Sequence, residues 1–192
     1  MIIELPNYVP HEYLAKIRES VRPFLDDPNH KSNKYPFFPS NRDGKTVNVS
    51  QEPALKTTDE LLSDIFRAVQ QNVIAKRYKP GDFQSGDSGY EYHLYNPGEF
   101  CHYHSDGEFS GDLSGPTLIR YAAVVLHMNT VEDGGETIFP SQNKTIKTEA
   151  GKVVIWPPYG MFGHYTTPSS VPREVIVTWF VYTGISAVRY GT

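Results

Sequence analysis

Leu118-Ile119-Arg120-Tyr121-Ala122-Ala123-Val124-Val125-Leu126-His127-Met128 decides the fold. The run is too short to be a membrane span and nearly continuous in apolar side chains, so it predicts a strand over 117–128 placed centrally in a sheet. A second such run, Val175-Ile176-Val177-Thr178-Trp179-Phe180-Val181-Tyr182, predicts another strand over 174–183. Shorter β-prone pieces lie around them, punctuated by turn residues. Residues 90–95 alternate as a strand before the Asn96-Pro97-Gly98 turn, and Lys79-Pro80-Gly81-Asp82 turns the chain just upstream. Asp133-Gly134-Gly135-Glu136 is a further turn, Thr137-Ile138-Phe139-Pro140 is a short strand, and 145–148 and 152–156 flank a turn at Ala150-Gly151. The polar, glycine-rich stretch 107–116 reads as a mobile loop.

The N-terminal part has a different period. Residues 8–25 place Pro10 at a helix start and Tyr13, Leu14, Ile17 and Val21 at helical spacing, with Pro23 as the expected end. Residues 28–53 show no clear period beyond an Asp43-Gly44 turn signal and the β-prone piece Thr46-Val47-Asn48-Val49. Thr57-Thr58-Asp59-Glu60 supplies cap-type residues for a second helix carrying Leu61, Leu62, Ile65, Phe66, Val69, Val73 and Ile74. Two helices followed by about eight short strands make an α+β order. The simplest architecture is a β-sandwich or jelly roll with the N-terminal helices packed on one sheet. One domain over 1–192 is expected, helical to about 77 and β-rich from about 78 to 184.

A net charge of −4 without a basic run gives no reason to expect nucleic acid or an anionic membrane as partner. The single cysteine, Cys101, excludes an internal disulfide and a cysteine-based zinc site, and fits a reducing compartment. The start Met1-Ile2-Ile3-Glu4-Leu5-Pro6 lacks the pattern of a signal peptide, so a cytoplasmic protein is expected.

The chemistry is concentrated in His102-Tyr103-His104-Ser105-Asp106. If this stretch is extended, alternation puts His104 and Asp106 on one edge, half of a metal site, and His164 in its Gly/Pro-rich loop is the best third ligand. Two imidazoles and a carboxylate on one side of a metal leave open positions and suit Fe(II) better than a closed structural zinc. Arg173, at the foot of the last long strand, offers a fixed cation for a dicarboxylate. His102 shares the parity of His104, so a cupin-like His102/His104/His164 site with Asp106 outside it is the alternative.

Taken together these residues resemble the iron- and 2-oxoglutarate-dependent dioxygenases, and among them the prolyl 4-hydroxylase group. The resemblance runs from Glu91 to Tyr182. It rests on the Tyr95-Asn96-Pro97-Gly98 turn nine residues before His104, Arg120 opening the apolar strand, Gly134-Gly135-Glu136-Thr137-x-Phe139-Pro140, His164 60 residues after His104, Arg173 nine residues further, and Trp179 six beyond that. It implies a double-stranded β-helix and an Fe(II) ion held by His104, Asp106 and His164. Arg173 would bind the far carboxylate of 2-oxoglutarate, Tyr95 would hydrogen-bond it, and Trp179 would wall the pocket. His127 stands where the group often has tyrosine, and Cys101 where some relatives do.

The implied reaction couples oxidative decarboxylation of 2-oxoglutarate by dioxygen to C–H hydroxylation, with ascorbate as an optional accessory. The loops at 107–116 and 34–53 would close over the substrate. Nucleic-acid-repair relatives carry a second arginine where this chain has Trp179, so the expected substrate is a proline-containing protein or peptide. A free amino acid or small metabolite is the second choice. A non-catalytic, cupin-like metal-binding protein is the third.

Overall fold

A computed structural model describes residues 1–28, 30, 44–78, 84–107 and 119–183. The turn expected at Lys79-Pro80-Gly81-Asp82, the 107–116 loop beyond Gly107, residues 34–43 of the 34–53 segment, and Thr117 and Leu118 lie outside them. In chain order the elements are β1 (Ile3–Leu5), α1 (His11–Asp26), β2 (Lys45–Asn48) and α2 (Lys56–Val69), which passes through a π-helical turn at Gln70–Ile74 into α3 (Ala75–Tyr78). The strands β3 (Gln84–Asp87), β4 (Glu91–Tyr95), β5 (Ile119–His127), β6 (Thr137–Phe139), β7 (Lys144–Ile146), β8 (Val153–Trp156), β9 (Tyr165–Thr166) and β10 (Arg173–Thr183) follow.

The main sheet runs β1-β8-β5-β10-β4-β2, with β3 paired to the far end of β10, and every pairing is antiparallel. A smaller sheet runs β7-β6-β9. The two apolar runs lie side by side in the middle, β10 pairing with β5 from Val175↔His127 to Tyr182↔Ile119. Both faces of these strands are covered, which explains why their sequences do not alternate with polar residues.

The faces are nonetheless distinct. Ala122, Val124, Leu126, Ile155, Ile176 and Phe180 pack with Leu14, Ile17 and Val21 of α1 and Leu62 and Phe66 of α2. On the opposite face Ala123, Val125, Val154, Trp156, Val175 and Trp179 pack with Phe139 and Ile146 of the small sheet. This is the jelly-roll arrangement with helices on one sheet that the element order predicts.

Two local expectations fail for physical reasons. Pro23 sits inside α1 rather than ending it. It forfeits the hydrogen bond to the Glu19 carbonyl, but buried Val21 and Leu25 on either side keep the last turn against the sheet. Thr57 and Thr58 do not cap α2, because the chain enters it from a 3₁₀ turn at Pro53–Leu55 and both threonines are already helical. The turn expected at Ala150-Gly151 is present, Gly151 at φ +79°, and it crosses between sheets, since β7 pairs with β6 while β8 pairs with β5. The N-terminal part also contributes strands, β1 and β2, at the two ends of the main sheet.

Charge ties α1 to the sheet beside the site. Arg18 donates from Nε to Glu174 at 2.9 Å and from Nη2 to the Met128 carbonyl at 2.6 Å, and the Tyr92 hydroxyl donates to the same carboxylate. Arg18→Met is expected to cost about 1.5–3 kcal/mol in urea unfolding, the range for charge-assisted bonds. Combined with Glu174→Gln it should cost less than the sum of the two single changes.

Candidate active site

The site is assembled where the main sheet meets the small one. After β4 the chain turns at Asn96-Pro97-Gly98, Glu99 N–H donating to the Asn96 carbonyl at 2.9 Å. It then runs beside β9. Cys101 N–H donates to Thr166 Oγ1 at 2.8 Å, and His104 and His164 exchange backbone hydrogen bonds of 3.0 and 2.9 Å. The two histidines are thus a cross-strand pair, with ring centroids 4.4 Å apart. A Cβ on Gly163 would lie 2.1 Å from the Tyr103 hydroxyl, so a larger residue there would push that exposed ring aside.

Asp106 does not reach the site by strand alternation. It lies in a turn, pinned by Arg120 Nη1 donating to its carbonyl at 2.8 Å and by the Trp156 indole donating to Oδ2 at 2.8 Å. The result is still convergence. His104 Nε2 is 3.6 Å from Asp106 Oδ1 and His164 Nε2 is 3.8 Å from Oδ2. One ligand atom from each residue lies within 4.8 Å of the others. Two metal–ligand bonds of about 2.1 Å span up to about 4.2 Å, so one ion can bridge the measured pairs.

The tautomers fit as well. His104 Nδ1 lies 2.8 Å from the His102 carbonyl and His164 Nδ1 3.1 Å from the Phe162 carbonyl, so each Nδ1 carries the proton and each Nε2 lone pair is left for a metal. His102, the alternative ligand, is exposed and packs against Phe100 at 4.6 Å; it is not in the cluster.

Deeper in, Arg173 is 4% exposed. Its Nε donates to Thr148 Oγ1 at 3.2 Å and its Nη2 approaches Thr137 Oγ1 at 3.4 Å, while the guanidinium carbon stands 5.4 Å from the Tyr95 ring centroid. Thr148 Oγ1 in turn donates to the Gly135 carbonyl at 2.6 Å, which fixes its lone pairs toward Arg173. Burial pulls the pKa of this guanidinium down, Tyr95 and Cys101 opposing, yet an arginine stays charged in proteins. Two threonine hydroxyls are weak company for a buried cation, and a carboxylate in the same place would relieve it.

The 2OG-Fe(II) oxygenase superfamily model matches residues 90–181. The chain carries a 2OG-Fe(II) oxygenase domain. The oxygenase is similar in fold to a viral collagen prolyl hydroxylase from Paramecium bursaria Chlorella virus-1, solved as a 2OG complex, at TM-score 0.71 and 17% identity over 94% of this chain and 95% of that one. It is also similar to a Pseudomonas putida prolyl-4-hydroxylase, at TM-score 0.59 and 19% identity over 95% and 93%. A third is a Trichoplax adhaerens prolyl hydroxylase in complex with a hypoxia inducible factor oxygen degradation domain peptide fragment, at TM-score 0.66 and 14% identity over 94% and 83%. No curated protein sequence matches significantly.

Fe(II) and 2-oxoglutarate are therefore the groups this oxygenase uses, and the donor set and the buried cation suit both. The remaining expected residues lie on the same face. Tyr95 is the cross-strand partner of Arg173 and His127 that of Val175, while Trp179 extends the row along β10. His127 Nδ1 accepts the Glu149 N–H at 3.3 Å, which leaves the proton on Nε2. Burial, then the charges of Arg173 and Lys152, holds its pKa well below the usual histidine range, so it is a neutral donor. Trp156, Thr148 and Thr137 were not picked out from sequence. Only the register of the folded sheets brings them to Asp106 and Arg173.

Burial works against charge on His104, but Asp106 and Cys101 outweigh it and lift the metal-free ring to about 10. Burial likewise opposes the Asp106 carboxylate, which His104, His164 and the Trp156 indole nevertheless hold near about 2. The raised His104 value stabilises the metal-free fold fully below 6.5, a contribution lost as pH rises through about 10. The lowered Asp106 value acts above 3.8 and is lost as pH falls through about 2. At neutral pH a metal must displace the His104 proton. Its apparent affinity should therefore rise about tenfold per pH unit between 6 and 8, with one proton released per ion in calorimetry.

Proposed function

We propose that this oxygenase hydroxylates a peptidyl proline, holding Fe(II) through His104, Asp106 and His164 and the far carboxylate of 2-oxoglutarate through Arg173. The observation that carries the metal and co-substrate assignment is the pairing of an open two-histidine, one-carboxylate cluster with a buried guanidinium whose polar side-chain partners, among the described residues, are two hydroxyls. The bound iron supplies the oxidation of 2-oxoglutarate by dioxygen to succinate and carbon dioxide, with the second oxygen atom entering a substrate C–H bond. The chain supplies orientation and exclusion. Trp156 and the two backbone carbonyls aim the three ligands, Thr148 aims Arg173, and His127 offers a neutral N–H beside the co-substrate. Phe139, Trp156 and Trp179 keep the walls apolar and limit water.

Support for proline as the substrate is the likeness in fold to three prolyl hydroxylases, together with the Tyr95 and Trp179 positions of the sequence resemblance. A proline-containing peptide panel incubated with the enzyme, Fe(II), 2-oxoglutarate and ascorbate should yield peptides heavier by one oxygen atom. Succinate formation with no peptide so modified would instead favour a free amino acid or small metabolite.

A further inference from the structure

The two segments that bring in the metal ligands also carry exposed aromatic and apolar side chains. Among the described residues six large apolar side chains are exposed, and three of them, Tyr103, Tyr159 and Met161, are 60%, 54% and 67% exposed. Tyr103 precedes His104 directly, and Tyr159 and Met161 stand on the turn that leads into His164. The two segments also touch. The Tyr103 hydroxyl reaches Gly163, where a Cβ would stand 2.1 Å from it, and Gly107, next to Asp106, packs so tightly on the turn that a Cβ would lie 2.4 Å from the Pro158 carbonyl and 3.5 Å from Tyr159 Cα. His104 is the ligand that solvent reaches most, its side chain 13% exposed against 6% for His164 and 5% for Asp106. The three exposed side chains therefore border the solvent side of the metal cluster.

The turn that presents them is anchored. Phe162 N–H donates to the Tyr159 carbonyl at 2.8 Å, Gly163 N–H to the Gly160 carbonyl at 3.1 Å, and the Gln142 side-chain amide to the Met161 carbonyl at 2.7 Å. Phe162 is buried with Phe139 and Trp156, so the turn points one large side chain inward and leaves Tyr159 and Met161 outside. A backbone fixed in advance has little order left to lose when a ligand covers it. The whole stretch Pro157-Pro158-Tyr159-Gly160-Met161-Phe162-Gly163 carries no charged side chain, which suits an uncharged ligand. Three side chains fall well short of the about 800 Å² per partner that a stable complex of two folded proteins buries. They match a few residues of an extended chain, and aromatic surfaces of this kind take up proline-rich segments, which are already extended in solution. We propose that Tyr103, Tyr159 and Met161 form a docking surface for an uncharged, proline-rich flank of a polypeptide substrate whose target residue lies in the metal site. The proposal rests on the hydroxylase reading above and narrows its substrates to polypeptides, away from free amino acids.

The test uses the full chain loaded anaerobically with Fe(II) and 2-oxoglutarate, and capped peptides of equal length with a central proline and flanks of Pro-Ala, Gly-Ser or Asp-Ser repeats. Equilibrium dialysis read by mass spectrometry gives retention without requiring turnover. Pro-Ala peptides should be retained about tenfold over Gly-Ser peptides, the size of one good aromatic contact, with Asp-Ser weakest. Tyr159→Ser and Met161→Ser should each lower that ratio, and the double variant should bring it near one. Both side chains are exposed, so circular dichroism should be unchanged. A benzophenone placed in the Pro-Ala flank should crosslink on irradiation to Tyr103 or to the turn at 159–161. Equal retention of Pro-Ala and Gly-Ser peptides, strong or absent, overturns the proposal, as does a preference that survives the double variant or crosslinks that fall elsewhere. Concentration-dependent dimerisation in analytical ultracentrifugation that the double variant abolishes would assign the surface to a second copy of the chain and overturn it too. Failure of the hydroxylase reading is read separately, as absence of succinate formation in air.

Discussion

Replacing Asp106 with alanine should abolish both iron binding and succinate formation while leaving a folded protein. Asp106 supplies the only negative charge of the cluster, its Oδ2 held by the Trp156 indole and its Oδ1 turned to His104. Without it two neutral imidazoles remain, a weak site for a hard ferrous ion. Outer partners of metal ligands are commonly worth about 10–100-fold in affinity or activity, so loss of the ligand itself should exceed about a hundredfold. Trp156→Phe removes only the orienting bond and should fall within the outer-partner range. The measurement is anaerobic Fe(II) titration beside turnover, with circular dichroism as the folding control. Unchanged iron affinity in Asp106→Ala, combined with loss in His102→Ala, would restore the cupin-like arrangement.

Arg173→Met should separate binding from stability by moving them in opposite directions. Loss of one partner of a buried charge pair costs about 2–5 kcal/mol, so the apparent affinity for 2-oxoglutarate should fall at least about 30-fold. Stability of the ligand-free protein should hold or rise, because methionine fills the same space without burying a cation among hydroxyls. The readout is thermal unfolding with and without the diacid. Wild-type protein should gain stability on adding 2-oxoglutarate by mass action, and the variant should gain little at the same concentration. Arg173→Lys keeps the charge but not the planar fork and should fall between. An arginine serving only to pack the strand would instead lose stability on replacement, with no specific effect of the diacid.

Much of this was legible in sequence because it is written in local pattern. The runs that became β5 and β10 are central because neither face can be polar, and the 3.6-residue spacing of Leu62, Phe66 and Val69 marks the side of α2 that meets the sheet. His104, His164 and Arg173 were readable from residue type and spacing. What escaped depends on pairing between distant segments. Asp106 was expected on a strand edge and sits in a turn, so its aim comes from Arg120 and Trp156, 14 and 50 residues away. Thr148 and Thr137, which touch Arg173, are small polar residues with no signal of their own until the sheet register is known. The strand β1 is too short to show a period, and the β-prone piece Thr46-Val47-Asn48-Val49, which forms most of β2, says nothing of the register that places Thr46 against His93.

The most direct test is a crystal of the full chain grown anaerobically with Fe(II) and 2-oxoglutarate, measured at the iron absorption edge. One anomalous peak is expected within bonding distance of His104 Nε2, a carboxylate oxygen of Asp106 and His164 Nε2, with the diacid chelating it and its far carboxylate paired to Arg173. A peak centred on His102, or a diacid whose far end leaves Arg173 to the two threonines alone, would contradict the account.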